Sequence, residues 1–157
     1  MATGAGEYSR EMLRKPYVIG RWMYSNGVRV PYVNRINQEG YLVHSEWVWN
    51  QNQPQSQPGT LPGEPSNYSR GEAIFRGECG SCHTLSGYRS LNTLLAGRDR
   101  ANIGNFIVML HEDKADSPYH RFMPPMVGTK QDVDDLANYL NAQVNPQAQR
   151  PLLSAQK

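Results

Sequence analysis

Cys79-Gly80-Ser81-Cys82-His83 constrains this chain more than any other stretch. Two cysteines three apart, followed at once by a histidine, read as the attachment site of a c-type haem. On a helical turn, positions i, i+3 and i+4 share one face. Cys79 and Cys82 can then reach the two vinyl groups on one porphyrin edge, while His83 projects toward the iron. These are the only two cysteines in the chain. A zinc site would need more Cys or His ligands at close spacing. A redox dithiol does not need the following histidine and usually sits in a βαβ setting. One covalent haem c is the expected cofactor.

A chain of 157 residues has room for one cored domain, with a small second unit at most. Its 38% hydrophobic content is low for a packed domain of that length, so part of it is expected to be linker or tail. Residues 51–67 fit a linker. Four prolines and two glycines among glutamines leave no room for a helix or a central strand. The formal net charge is only +2, which implies no affinity for nucleic acid. No apolar run approaches the length of a membrane-spanning helix.

The linker separates two stretches of different character. Residues 1–50 are rich in aromatics but mostly without period. Tyr8, Met12 and Lys15 fall at helical spacing before Pro16. Tyr17 to Tyr24 is rich in β-formers, and Asn26-Gly27 offers a turn into Val28-Arg29-Val30. With too little apolar mass for a core of its own, this segment is expected to dock on a partner through Trp22, Trp47, Trp49 and its tyrosines. Residues 68–145 read as all-α. Ser69 caps a helix from Arg70 to about Cys79, with Glu72 completing a capping box. Residues 84–100 read as loop. A second helix spans Ile103 to about His111. Thr129 caps a last one from Gln131 to about Val144, where Val133, Leu136, Ala137 and Leu140 make the apolar face. Residues 146–157 read as a flexible tail.

The Cys-x-x-Cys-His motif, the later Met123-Pro124-Pro125-Met126 element and the closing helix with Leu136-Ala137-Asn138-Tyr139-Leu140 together resemble a class I cytochrome c. Gly71-Glu72-Ala73-Ile74-Phe75 before the motif is also similar to that family. The resemblance covers about half the chain. It implies a small all-α fold around one haem, with the first and last helices crossing near Phe75 and Tyr139. Family domains often have a proline soon after the haem histidine. Gly87-Tyr88-Arg89-Ser90 stands in that region here, so a different carbonyl must orient His83. The resemblance also implies haem attachment outside the cytoplasm. The expected location is the periplasm or the outer face of the cytoplasmic membrane, held there through partner subunits. No secretory leader is legible, so the chain would have lost one, been cut from a longer protein, or been exported otherwise.

Iron bound by His83 needs a sixth ligand, and thioether ligation would raise the potential. Met123 is favoured because Pro124 and Pro125 stiffen the strap that carries it. Met126 is the competitor, seven residues from Val133, and His120 would serve if ligation were bis-histidine. Tyr88, Arg89 and Arg98 are candidates for the haem propionates, since Arg forks suit carboxylates. A six-coordinate iron favours outer-sphere electron transfer over substrate chemistry. A freely diffusing carrier and a haem enzyme with a labile sixth ligand are the alternatives. A second similarity concerns Glu11-Met12-Leu13-Arg14-Lys15-Pro16-Tyr17. It is similar to the Glu-x-x-Arg-x-Pro-Trp stretch of the large subunit of bd-type quinol oxidases, with Tyr in place of Trp. Expected partners are therefore redox proteins and a membrane-bound respiratory oxidoreductase complex, of the quinol-oxidising kind on this second resemblance.

Overall fold

The computed structural model describes residues 18–19, 21–44, 69–87, 90–120 and 123–146. The readings placed on residues 1–17, Trp47 and Trp49, the linker, Tyr88 and Arg89, and the tail from 147 onward lie outside them.

Three helices make the frame, and each begins at a cap visible in the sequence. α3, Arg70–Ile74, follows Ser69, whose hydroxyl accepts the Glu72 N–H at 3.2 Å. The expected reciprocal half of that box is replaced by another pairing, because the Glu72 carboxylate faces Arg76 at 2.9 Å. α5, Arg100–Glu112, starts at Asp99, which accepts the Asn102 N–H. α6, Lys130–Val144, starts at Thr129 with a complete capping box made with Asp132. α3 does not run on as α-helix to Cys79. Residues Phe75–Cys79 form a π-helical turn, with the Gly80 N–H bonded to the Phe75 carbonyl at 2.8 Å. Such widened turns recur at functional sites.

α3 and α5 both pack on α6. Gly71 makes the first crossing possible: a β-carbon there would run into the Asp135 carbonyl and come within 2.6 Å of Tyr139 Cβ. One turn on, the Phe75 and Tyr139 rings meet at 5.9 Å. The crossing lies where the resemblance to class I cytochromes c implied it. Ile74, Ile103, Ile107, Val133, Leu136 and Leu140 fill the core between the helices. A helix not anticipated in the stretch 84–100, α4 at Leu91–Leu94, is capped by Ser90 and adds Leu91 and Leu95 to that core.

The N-terminal segment folds too. β1 (Val18–Ile19) pairs antiparallel with β2 (Met23–Tyr24), and a second turn at Asn26-Gly27 brings Arg29 back beside Met23. The Tyr24 N–H bonds the Val28 carbonyl at 2.8 Å across that turn. A short 3₁₀ turn, Val30–Tyr32, leads into α1, Val33–Glu39, and then α2, Tyr41–His44. These helices lack a full apolar stripe, which is why periodicity missed them. Their few apolar residues, Ile36, Tyr41 and Leu42, together with Val28, join the core of the helical domain itself. Gly77 leaves room for the Tyr41 ring, whose Cε1 would lie 2.8 Å from any β-carbon there. Contacts thus cross the linker. Residues 28–44 pack on their own chain, and among the described residues of the aromatic segment Trp22 faces outward at 73% exposure.

Candidate functional site

Cys79 to His83 forms a helical turn directly after the π-helical stretch. The Cys82 and His83 amides both bond the Cys79 carbonyl, at 3.1 and 2.8 Å. Cys79, Cys82 and His83 all line one cavity of about 790 Å³ including its mouth.

The rest of the lining is almost wholly apolar. α4 contributes Leu91, and Leu95 follows at its end; α5 contributes Ile103, Phe106, Ile107 and Leu110, and α6 contributes Leu136 and Leu140. Met123, Pro124, Pro125 and Met126 form a strap along the cavity. Hydrogen bonds pin the strap along its length. The Met123 N–H bonds the Tyr119 carbonyl at 2.9 Å, and the Met126 N–H bonds the Leu110 carbonyl at 3.3 Å. His111 Nδ1 lies 2.9 Å from the Met126 carbonyl, so Nδ1 carries the proton. Beyond the strap, the Gly128 N–H bonds Asn37 Oδ1 of α1 at 2.8 Å.

Both methionines considered as iron ligands therefore line the cavity, Met126 buried and Met123 half-buried. His120 does not line it, and its Nδ1 pairs with Asp113 at 2.8 Å. Arg98 sits behind the wall, its guanidinium 5.5 Å from the centroid of the cavity-lining Phe106. His83 is half-buried and shares the cavity with the strap.

Two lining residues were not expected. Asn26, from the turn of the N-terminal hairpin, reaches the cavity. Tyr24 beside it has its phenol pushed up by burial and by the nearby Asp113 carboxylate, which places the hairpin next to the loop after α5. Glu78 is the other. It is 6% exposed, its Oε2 accepts the Val127 N–H at 3.0 Å, and its Oε1 has no protein partner among the described residues. Burial, with Asp132 adding to it, holds the carboxyl well above the usual carboxylate range. Nothing in the sequence distinguished Glu78 from a surface acid on a capped helix.

Residues 68–143 match the family model described as Cytochrome c. These residues form a cytochrome c domain. No curated protein and no solved structure matches the chain. A cytochrome c domain carries covalently bound haem c, and the residues here suit it. The two thiols are not joined to each other, both line the cavity, and the lining is apolar enough for a porphyrin. Burial, then the neighbouring Glu78 and Cys82, pushes the Cys79 thiol far up.

Proposed function

We propose that this cytochrome c domain is a single-haem electron carrier with His83 and Met123 as axial ligands, working as a subunit of a membrane-bound respiratory oxidoreductase outside the cytoplasm. Electron transfer by haem is the function of the domain; the ligand pair and the assembly are the finer reading. The observation that carries the ligand pair is the apolar cavity lined both by His83 and by a hydrogen-bonded Met-Pro-Pro-Met strap. Of the two strap sulfurs, Met123 precedes the paired prolines that stiffen the element. Met126 lines the same cavity and stays the competitor, with its amide and carbonyl bonded to α5 and its side chain buried.

The chain's residues perform the rest of the work. Cys79 and Cys82 hold the haem, and the apolar walls exclude water and keep reorganisation on electron transfer small. Arg98, which packs on Phe106 and does not line the cavity, keeps its assignment to the propionates on the sequence alone. Tyr88 and Arg89 carry the same assignment on the sequence alone.

The membrane-complex reading is supported by the outward face of the N-terminal hairpin, where Trp22 stands exposed beside Arg21. Aromatic and arginine side chains are favoured in interface cores. The quinol-oxidising character of the partner rests on the Glu11–Tyr17 similarity alone. The experiment is purification of the full chain from its native membrane with and without Trp22→Ser. Co-purification of an oxidoreductase complex that weakens in the variant supports the reading. Recovery of the wild type alone, reversibly reducible and stable, favours the freely diffusing carrier. Carbon monoxide added to the reduced protein should leave its spectrum unchanged; a CO adduct would favour the haem enzyme with a labile sixth ligand.

A further inference from the structure

A carboxyl in an apolar cofactor cavity calls for a physical reason. Glu78 is held there by its backbone on the π-helical turn and by one hydrogen bond to the strap, from Val127 N–H to Oε2. Oε1 is buried and has no hydrogen-bond partner among the described residues. A neutral amide could receive the Val127 N–H equally well, so that bond does not explain an acid.

The groups around Glu78 offer it no counter-charge. From α6 the facing charge is Asp132, a like charge, which Arg70 meets from α3. From α2 the neighbour is the Tyr41 phenol, packed on Gly77. The hairpin presents neutral Asn26 and the strap presents the Val127 amide. On its own π-helical turn, Arg76 pairs with Glu72 at 2.9 Å, and Cys79 follows; Cys79, Cys82 and His83 would be thioethers and an iron-bound imidazole once the haem is attached. No lysine or arginine lines the cavity among the described residues. The charge that changes beside Glu78 is then the one the cofactor gains or loses with each electron. In a low-dielectric cavity such charges interact strongly.

We infer that Glu78 is a proton-binding site coupled to the electron held by this domain, an inference that rests on the electron-transfer reading. Glu78 carboxylate takes one proton from solvent when one electron arrives from a redox partner, becoming the carboxylic acid. It returns that proton to solvent when the electron leaves to the next partner.

The test is a spectroelectrochemical titration of the haem-loaded full chain from the usual carboxylate range upward in pH. Within the window between the two proton affinities, the reduction equilibrium should change tenfold per pH unit, about 59 mV for a one-electron couple. Glu78→Gln should flatten the profile in that window, and Glu78→Asp, which keeps a carboxyl, should retain the slope in a displaced window. A flat wild-type profile overturns the inference, as does a slope that survives in Glu78→Gln, which would assign the proton to the haem propionates. Should the Gln variant fail to mature, the wild type and Glu78→Asp carry the test, and an unmoved window overturns the inference. Failure of the electron-transfer reading looks different, as the absence of reversible one-electron reduction with a c-type α band.

Discussion

The Asp132 carboxylate accepts the backbone N–H of Tyr41 at 3.0 Å, across 91 residues of chain. The same side chain accepts the Thr129 N–H and hydroxyl at 3.0 and 3.1 Å, and meets Arg70 at 2.9 Å. One fully buried carboxylate therefore caps α6, anchors α3 and receives the start of α2. Asp132→Ala leaves several donors without partners and should cost about 3 kcal/mol, since breaking a buried hydrogen-bonded ion pair costs on the order of 3–5. Arg70→Ala should cost less, because its guanidinium is partly exposed to water. Chemical denaturation of the haem-loaded variants checks the order.

Removal of residues 1–48 should destabilise the cytochrome c domain. Ile36, Tyr41 and Leu42 would leave the core, each worth about 1.5–3 kcal/mol of burial. A lower midpoint of unfolding in the truncated haem protein is the expected outcome. Cleavage within residues 51–67 should instead leave the two pieces associated on gel filtration. An unchanged midpoint after truncation would mean that the packing of α1 and α2 contributes nothing.

Gly71→Ala should be among the most damaging small substitutions. Its β-carbon meets the backbone of Asp135 and Tyr139 Cβ, so α3 and α6 must separate. Overpacking of that kind costs roughly 1–3 kcal/mol or more. Thermal unfolding reads it directly, and Phe75 and Tyr139 should lose their ring contact.

What the sequence made legible follows a physical line. Caps at Ser69 and Thr129, the motif at Cys79–His83 and the apolar face of α6 were readable because each is local chemistry at fixed spacing. α1 and α2 were not readable. They are short and polar, and their apolar residues make sense only against a surface supplied by the far end of the chain. The π-helical turn at Phe75–Cys79 was hidden for the same reason, since the Tyr41 ring lies against Gly77 within it. The bond that Asp132 accepts from Tyr41 is a tertiary fact that no local spacing announces. Glu78 was hidden because burial, not residue type, makes it unusual.

Glu78 also gives stability a definite pH dependence. Its carboxyl is raised in the folded state, so the folded chain binds more protons than the unfolded one. That contribution is fully present below the unfolded-state value and is lost as pH rises through the folded-state value. The oxidised protein should lose stability with rising pH in that window, and Glu78→Gln should lose less. Urea midpoints measured from the usual carboxylate range upward check the sign.

The most direct test of the account is the weak long-wavelength charge-transfer band that iron–methionine sulfur bonding gives an oxidised cytochrome c. It should be present in the wild type and in Met126→Ala, and abolished in Met123→Ala. Loss of the band in Met126→Ala with retention in Met123→Ala would move the ligand to Met126, and absence from the wild type would contradict His/Met ligation altogether.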